Sequence, residues 1–346
     1  MGCSCVLSYF EKDFDIGRLK DIMNKIKTNP KLLRIIIHFQ SLLRGYIFRK
    51  KFYSQNRVPN GFSFSDDTIK FKNPSQKLIT QEEFRFLKNM YPPLSDNIET
   101  IFLPNVEYQN NSEYLGEWNI ETGERHGRGI QKWLDGSKYE GYFVRDKANI
   151  QGKLTHPNND VYEGEWVDDK AEGFGIYTHI DGAKYEGYWK DDKQDGKGIE
   201  TWPDKTSYEG NFLNGKKNGY GKFIWRDGAC YEGEFVDNFI EGKGTYIWSD
   251  KRTYIGSWKK NEMDGNGIFT WPDGRKYEGD YKNDKKDGYG TFYYQDGKIY
   301  KGEWKNGKQH GIGEVFNPNT NKWKKGYWEE GKRIKWIDSP DNSNAQ

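Results

Sequence analysis

Disulfide chemistry has almost no raw material in this chain. Its 346 residues include three cysteines, Cys3, Cys5 and Cys230. The first two are too close in sequence for an ordinary structural bridge and the third stands alone. A disulfide-stapled fold is thereby excluded, and a reduced, intracellular protein is the simplest expectation. Long apolar runs are missing as well. The longest near the front is Ile35–Ile37, held between Arg34 and His38. That is far short of the roughly 20 residues a spanning helix needs, and it offers no secretory core.

Two residue types are scarce only in the front third. All 13 Trp and 36 of the 40 Gly lie beyond residue 113, which marks a boundary in composition. Charge divides at the same place. Residues 1–113 carry 17 Lys and Arg against 12 Asp and Glu, whereas the remainder carries 37 against 40. Attraction to anionic partners therefore belongs to the front segment, and the long Gly/Trp region is no nucleic-acid platform.

What fills that region is a repeat. The phrases YLGEW (114–118), YEGYF (139–143), YEGEW (162–166), YEGYW (185–189), YEGNF (208–212) and YEGEF (231–235) recur, and YIGSW, YEGDY and YKGEW follow. The first step is 25 residues, the next seven are 23 each, and a degenerate KKGYW ends the series at 324–328. Each copy leads into a Gly-x-Gly, except the second, which has Ile150 and Gly152 in those places. Alternation within the phrases has period two, so Tyr162, Gly164 and Trp166 share one strand face, as do Tyr185, Gly187 and Trp189. The same holds for Tyr208, Gly210 and Phe212 and for Tyr231, Gly233 and Phe235. Glycines there leave room for rings from neighbouring strands. Asp-Gly pairs, such as Asp135-Gly136 and Asp227-Gly228, are expected to supply the positive φ of tight hairpins. Each 23-residue unit is then one antiparallel hairpin.

These phrases resemble the MORN repeat. The resemblance implies a mainly β protein: an elongated single-layer antiparallel β-hairpin repeat array with an aromatic-lined face, here preceded by an α-helical N-terminal segment. The aromatic residues are first of all structural. A second role, holding a helix or peptide of an unidentified partner, is open to a face that a single layer leaves uncovered.

Reactive constellations are not legible. The five histidines, His38, His126, His156, His179 and His310, fall in repeat slots or stand apart, without metal spacing. No Ser or Cys sits in a nucleophile motif. The Gly-x-Gly pairs open strands rather than a helix, which speaks against a phosphate loop. No catalytic residue, metal or cofactor is expected. In enzymes that carry MORN repeats, catalysis belongs to an appended domain, and only about 18 residues follow the last copy here. The chain is read as not an enzyme.

One stretch breaks the pattern. "FQSLLRGYIFRK" at 39–50 resembles the IQ motif, with Phe39, Gln40, Arg44, Gly45 and Arg49 at its positions. Leu32, Ile35, Ile36, Phe39, Leu43, Tyr46 and Ile47 form an apolar stripe at helical steps, flanked by cations. The resemblance implies binding of calmodulin or an EF-hand light chain. A helix capping the open edge of the sheet is the competing reading. Ahead of it, "MGCSCV" offers Gly2 for myristoylation and Cys3 and Cys5 for palmitoylation, although Val6 stands where Ser or Thr is usual. Ten Lys and Arg against one acid in residues 16–52 add attraction to an anionic membrane surface. Incidental cysteines at a disordered terminus are the alternative.

The expected organisation is therefore an anchor segment (1–28), a basic IQ-type helix (29–53), a linker with a short helix at 80–90 (54–113), the array (114–330) and a disordered tail (331–346). Thr80 and Glu83 would cap the short helix, with Phe84, Phe86 and Leu87 packing it on the first repeats. The function expected is a scaffold at the cytoplasmic face of a membrane. Alternatives are a ciliary or cytoskeletal component of the radial-spoke type and a regulatory subunit of a phosphatidylinositol phosphate kinase.

Overall fold

The computed structural model describes residues 25, 28, 29, 81–107 and 112–337. The Thr80 cap, the Phe84 side chain and the termini lie outside the described residues. The protein is mainly β, a single open antiparallel sheet of 21 strands. It comprises two compact units, one ending at Glu172 and one starting at Gly173.

In the first unit, helix α1 (Gln81–Met90) precedes strands β1 (Thr100–Glu107), β2 (Glu113–Asn119), β3 (Arg125–Lys132), β4 (Lys138–Val144), β5 (Lys147–Thr155) and β6 (Val161–Val167). Each strand from β2 to β6 pairs antiparallel with the one before it. β1 falls in a stretch where the residue pattern signals no strand. Pro104 masks it, since proline removes a ladder donor, and the register slips beside it, between Leu103 and Val106. A further strand, Lys332–Trp336, falls in the stretch read as a tail.

The expected hairpins form, but their turns differ from expectation. In the Asp-Gly turns only glycine takes positive φ, for example 92° at Gly136 and 84° at Gly228. Gly136 N donates to Trp133 O and Trp133 N to Ser137 O, so this is a three-residue loop with glycine in the left-handed position. Asp135 accepts from Ser137 N instead of adopting positive φ itself. The two-residue turns with both φ positive lie at the other end of each hairpin, as at Arg145-Asp146, Asp237-Asn238 and Lys260-Asn261. Asp and Asn tolerate that region better than other non-glycine residues, which is why these pairs are mostly Asx.

Repeat glycines pair across the strands into a row. In the first unit Gly116, Gly129, Gly141, Gly152 and Gly164 are consecutive partners. In the second unit the row passes from Gly221 through Gly233, Gly244, Gly256, Gly267 and Gly279 to Gly290. A tyrosine ring lies over each hairpin's pair. A Cβ on Gly244 would stand 2.3 Å from the Tyr231 hydroxyl, and one on Gly152 equally close to that of Tyr139.

The opposite face of the first unit is covered by α1. Leu87 (1% exposed) and Tyr91, one helical turn apart, pack on Leu115, Ile130 and Tyr142. Tyr142 donates to Pro92 O at 2.6 Å, and its ring meets that of Tyr91 edge-on. Phe86, expected to pack here, points away and is 62% exposed. Neighbouring positions on a helix do not share a face, so Leu87 takes the buried place and Phe86 cannot.

Candidate partner-binding groove

The tyrosines that open each repeat form the floor of the aromatic face. Tyr162, Tyr185, Tyr208 and Tyr231 are all at most 3% exposed. Each hydroxyl donates to the carbonyl three residues on, Tyr208 to Asn211 at 3.0 Å and Tyr231 to Glu234 at 3.0 Å. The strand bulge between Gly and the next aromatic residue aims that carbonyl inward. Each ring then makes two edge-to-face contacts, one within its strand and one to the next repeat. Tyr208 meets Phe212 and Phe235, each at 5.2 Å, and Tyr139 meets Phe143 at 5.1 Å and Trp166 at 5.2 Å. Such pairs contribute about 0.5–1.5 kcal/mol each beyond burial. Trp166 and Trp189 also donate their indole N–H to Gly152 O and Gly175 O.

Burial raises the phenol pKa along this floor, to about 12 at Tyr208. The hydroxyls are thus locked as neutral donors. Each is spent on a backbone carbonyl, which is a structural role.

A second line of rings lies against the floor in the second unit. Trp202, Phe223, Trp225, Tyr246, Trp248, Phe269, Trp271, Phe292 and Tyr294 touch in succession at 4.4–5.9 Å between centroids. Alternate members come from the turns and the rest from the strands. Phe269 and Phe292 are buried, the other seven rings are partly or largely exposed, and shallow cavities open beside them, one lined by Phe212, Lys217, Phe223, Trp225, Phe235 and Ile240.

In each unit, one position per repeat decides what projects over the aromatic floor. It lies opposite the second aromatic residue of the phrase in the register: Arg125 opposite Trp118, Ala148 opposite Phe143, Lys217 opposite Phe212, Ile240 opposite Phe235, Met263 opposite Trp258 and Lys286 opposite Tyr281. Here the repeat is conservative in place and variable in chemistry. The Lys286 ammonium sits 4.5–5.2 Å from the ring centroids of Trp271, Tyr277, Phe292 and Trp304. Desolvation lowers its pKa to about 8. Lys217 lies among Trp202, Tyr208, Phe212 and Phe223 and pairs with Glu200 at 2.6 Å. The variable position was not legible in the repeat phrases, because it becomes visible only when strand register is known.

Histidines take the slots expected of repeat drift. His126 is buried, with Nε2 2.7 Å from an Asp96 carboxylate oxygen. His156 and His179 open turns where other repeats have tryptophan. No group of three His, Cys, Asp or Glu able to hold a metal occurs among the described residues. The motif residues Phe39, Gln40, Arg44, Gly45 and Arg49, and Gly2, Cys3 and Cys5, lie outside the described residues.

A family model described as MORN repeat matches nine segments: 121–138, 139–161, 162–184, 185–207, 208–230, 231–251, 254–274, 277–299 and 300–319. No curated protein matches the chain. Among solved structures, the TCP10 domain of Danio rerio CPAP is 11% identical with a TM-score of 0.33, over 68% of this chain and 99% of that one. The Drosophila melanogaster SAS-4 TCP domain, in complex with a proline-rich motif of Ana2, is 16% identical with a TM-score of 0.26, over 56% and 99%. A Staphylococcus aureus virginiamycin B lyase is 15% identical with a TM-score of 0.14, over 69% and 84%. Likeness this slight carries nothing about what the chain binds.

Proposed function

This chain belongs to the MORN-repeat family, and from that premise we propose that it is a non-catalytic scaffold. MORN arrays suit a repeat-built scaffold role at membranes or lipids, and the finer assignment follows from the chain's own residues. The IQ-type segment, through Phe39, Gln40, Arg44, Gly45 and Arg49, recruits calmodulin or an EF-hand light chain. The acylated front end, Gly2 with Cys3 and Cys5, together with the basic residues of 16–52, addresses the chain to the cytoplasmic face of a membrane. The array presents its aromatic groove to a segment of a partner protein.

The observation that carries the reading is the line of nine contacting rings in the second unit, seven of which are left partly uncovered. A single layer supplies no second sheet to cover these rings, and a partner segment would fill that place. Aromatic residues gathered in a groove are the usual anchors of peptide recognition.

Isothermal titration of the full chain with calmodulin, with and without calcium, tests the recruitment step. A one-to-one complex is expected, weakened at least about tenfold when Arg44→Ala and Arg49→Ala remove two charge-assisted contacts. Absence of heat under both conditions contradicts the assignment.

A further inference from the structure

We propose that the cavity above Ala148 is a receptor for a single basic side chain, a lysine or arginine, supplied by a partner protein. Three observations on this chain lead there.

The first is that the fold itself already uses this kind of pocket to hold cations. Lys286 and Lys217 occupy the variable position of their repeats and place their ammonium groups among four rings each. A cation over ring faces is attracted by their quadrupoles, most strongly where water is scarce.

The second is that Ala148 holds the same register position, opposite Phe143. The residues that surround Lys286, namely Trp271, Tyr277, Phe292 and Trp304, correspond six repeats earlier to Trp133, Tyr139, Leu154 and Trp166. Three rings of the cage are thus retained, and the Phe143 ring beside them already carries the Arg125 guanidinium. The alanine side chain ends at its Cβ and cannot enter. A cavity of about 720 Å³ opens over it, lined by these residues and further along by Arg125, Gln131 and His156. It is larger than the cavity beside Lys217, about 390 Å³.

The third is charge. Asp135, Asp146 and Asp169 line the cavity, against one guanidinium, that of Arg125. Arg125 is already committed, to Asp146 and to Gln131 at 3.1 Å, and it lies over the Phe143 ring. Hydrogen bonds from Ser137 hold the Asp135 carboxyl below its usual pKa, so it is ionised at neutral pH. The balance favours a cation and repels phosphate. Ala148 N donates to Asp169 Oδ1 at 2.7 Å, and the remaining lone pairs of the three carboxylates give a cation an electrostatic gain that a neutral apolar side chain lacks.

The inference rests on the reading of the array as a partner-holding surface and names the chemistry of one contact. The calmodulin titration does not involve Ala148, so the two readings fail separately.

The test uses the full chain and two end-capped probe peptides, Gly-Lys-Gly-Lys-Gly and its norleucine counterpart, followed through tryptophan emission and the Trp133 indole N–H resonance. Saturable binding of the lysine peptide is expected, with the norleucine peptide at least about fivefold weaker. Ala148→Lys supplies the cage from within, as at Lys217 and Lys286, and is expected to weaken the lysine peptide at least about tenfold, with the fold retained as read by far-ultraviolet circular dichroism. Trp133→Ala removes a half-exposed ring and gives a second variant with the fold intact, also weakened. The proposal is overturned if the norleucine peptide binds equally well, if both variants keep wild-type affinity, or if no saturable binding occurs up to millimolar peptide, including because another part of the chain fills the cavity.

Discussion

Ile150 is the residue at which this chain departs most clearly from its own rule. Where other repeats place the first glycine of Gly-x-Gly at positive φ, 98° at Gly265 and 77° at Gly219, the second copy forces isoleucine to 64°. A β-branched side chain there is strained, at a cost of order 1–3 kcal/mol. Its side chain is 42% exposed, so little packing offsets that cost. Ile150→Gly is expected to stabilise the first unit by about 1 kcal/mol, read as a rise in its unfolding midpoint in urea. A fall would show that the exposed isoleucine contributes more than its strain takes. At Lys286 the sign runs the other way with pH. Its folded pKa, about 8, lies below the ordinary lysine value of 10.5. Between those values the unfolded chain binds more protons, so stability rises as pH increases through that window and the penalty is complete below it. Lys286→Met, the residue that Met263 already places at this position, is expected to remove that rise in urea titrations from pH 7.5 to 9.5.

At the scale of the hairpin, the two-residue turns clip each repeat to the one before it. Asn261 N donates to Ile240 O at 3.0 Å while its side-chain Oδ1 accepts from Ile240 N at 2.7 Å. Asn238 does the same with Lys217, and Asp284 with Met263. Asn261→Ala leaves a strand-edge N–H without its acceptor and a non-Asx residue at φ 71°. A loss of about 1–3 kcal/mol is expected, seen as faster amide exchange in residues 239–262, with distant repeats unchanged because neighbours in an array couple locally. These clips also mark the limit of what the sequence discloses. The 23-residue step, the shared face of Tyr, Gly and Trp and the hairpin count are readable, because each repeats without interruption. The turn types are not, since Asp-Gly fits two geometries and only the backbone tells them apart. Pro104 hides β1 for a similar reason, as a residue that usually ends a strand here sits at a register slip. Leu87 and Phe86 show that two adjacent apolar residues do not by themselves say which one faces the sheet.

On the proposed function, the chain's tasks divide by composition. Net positive charge gathers in residues 1–113, while the aromatic groove belongs to a region that is slightly acidic. Recruitment through the basic segment and docking on the array are on this account separate activities of one polypeptide. Within each unit the chemistry over the aromatic floor is set by one variable position per repeat, Arg125 and Ala148 in the first and Lys217, Ile240, Met263 and Lys286 in the second, above tyrosines that do not vary. On the proposed function, this division lets the array alter its partner contacts without disturbing the Tyr-over-Gly packing. Hydrogen exchange of the full chain, with and without saturating calmodulin, measures the separation directly. The account predicts new protection confined to residues 29–53, with the amides of 114–328 exchanging as before. Unchanged exchange at 29–53, or protection spread through the array, would contradict it.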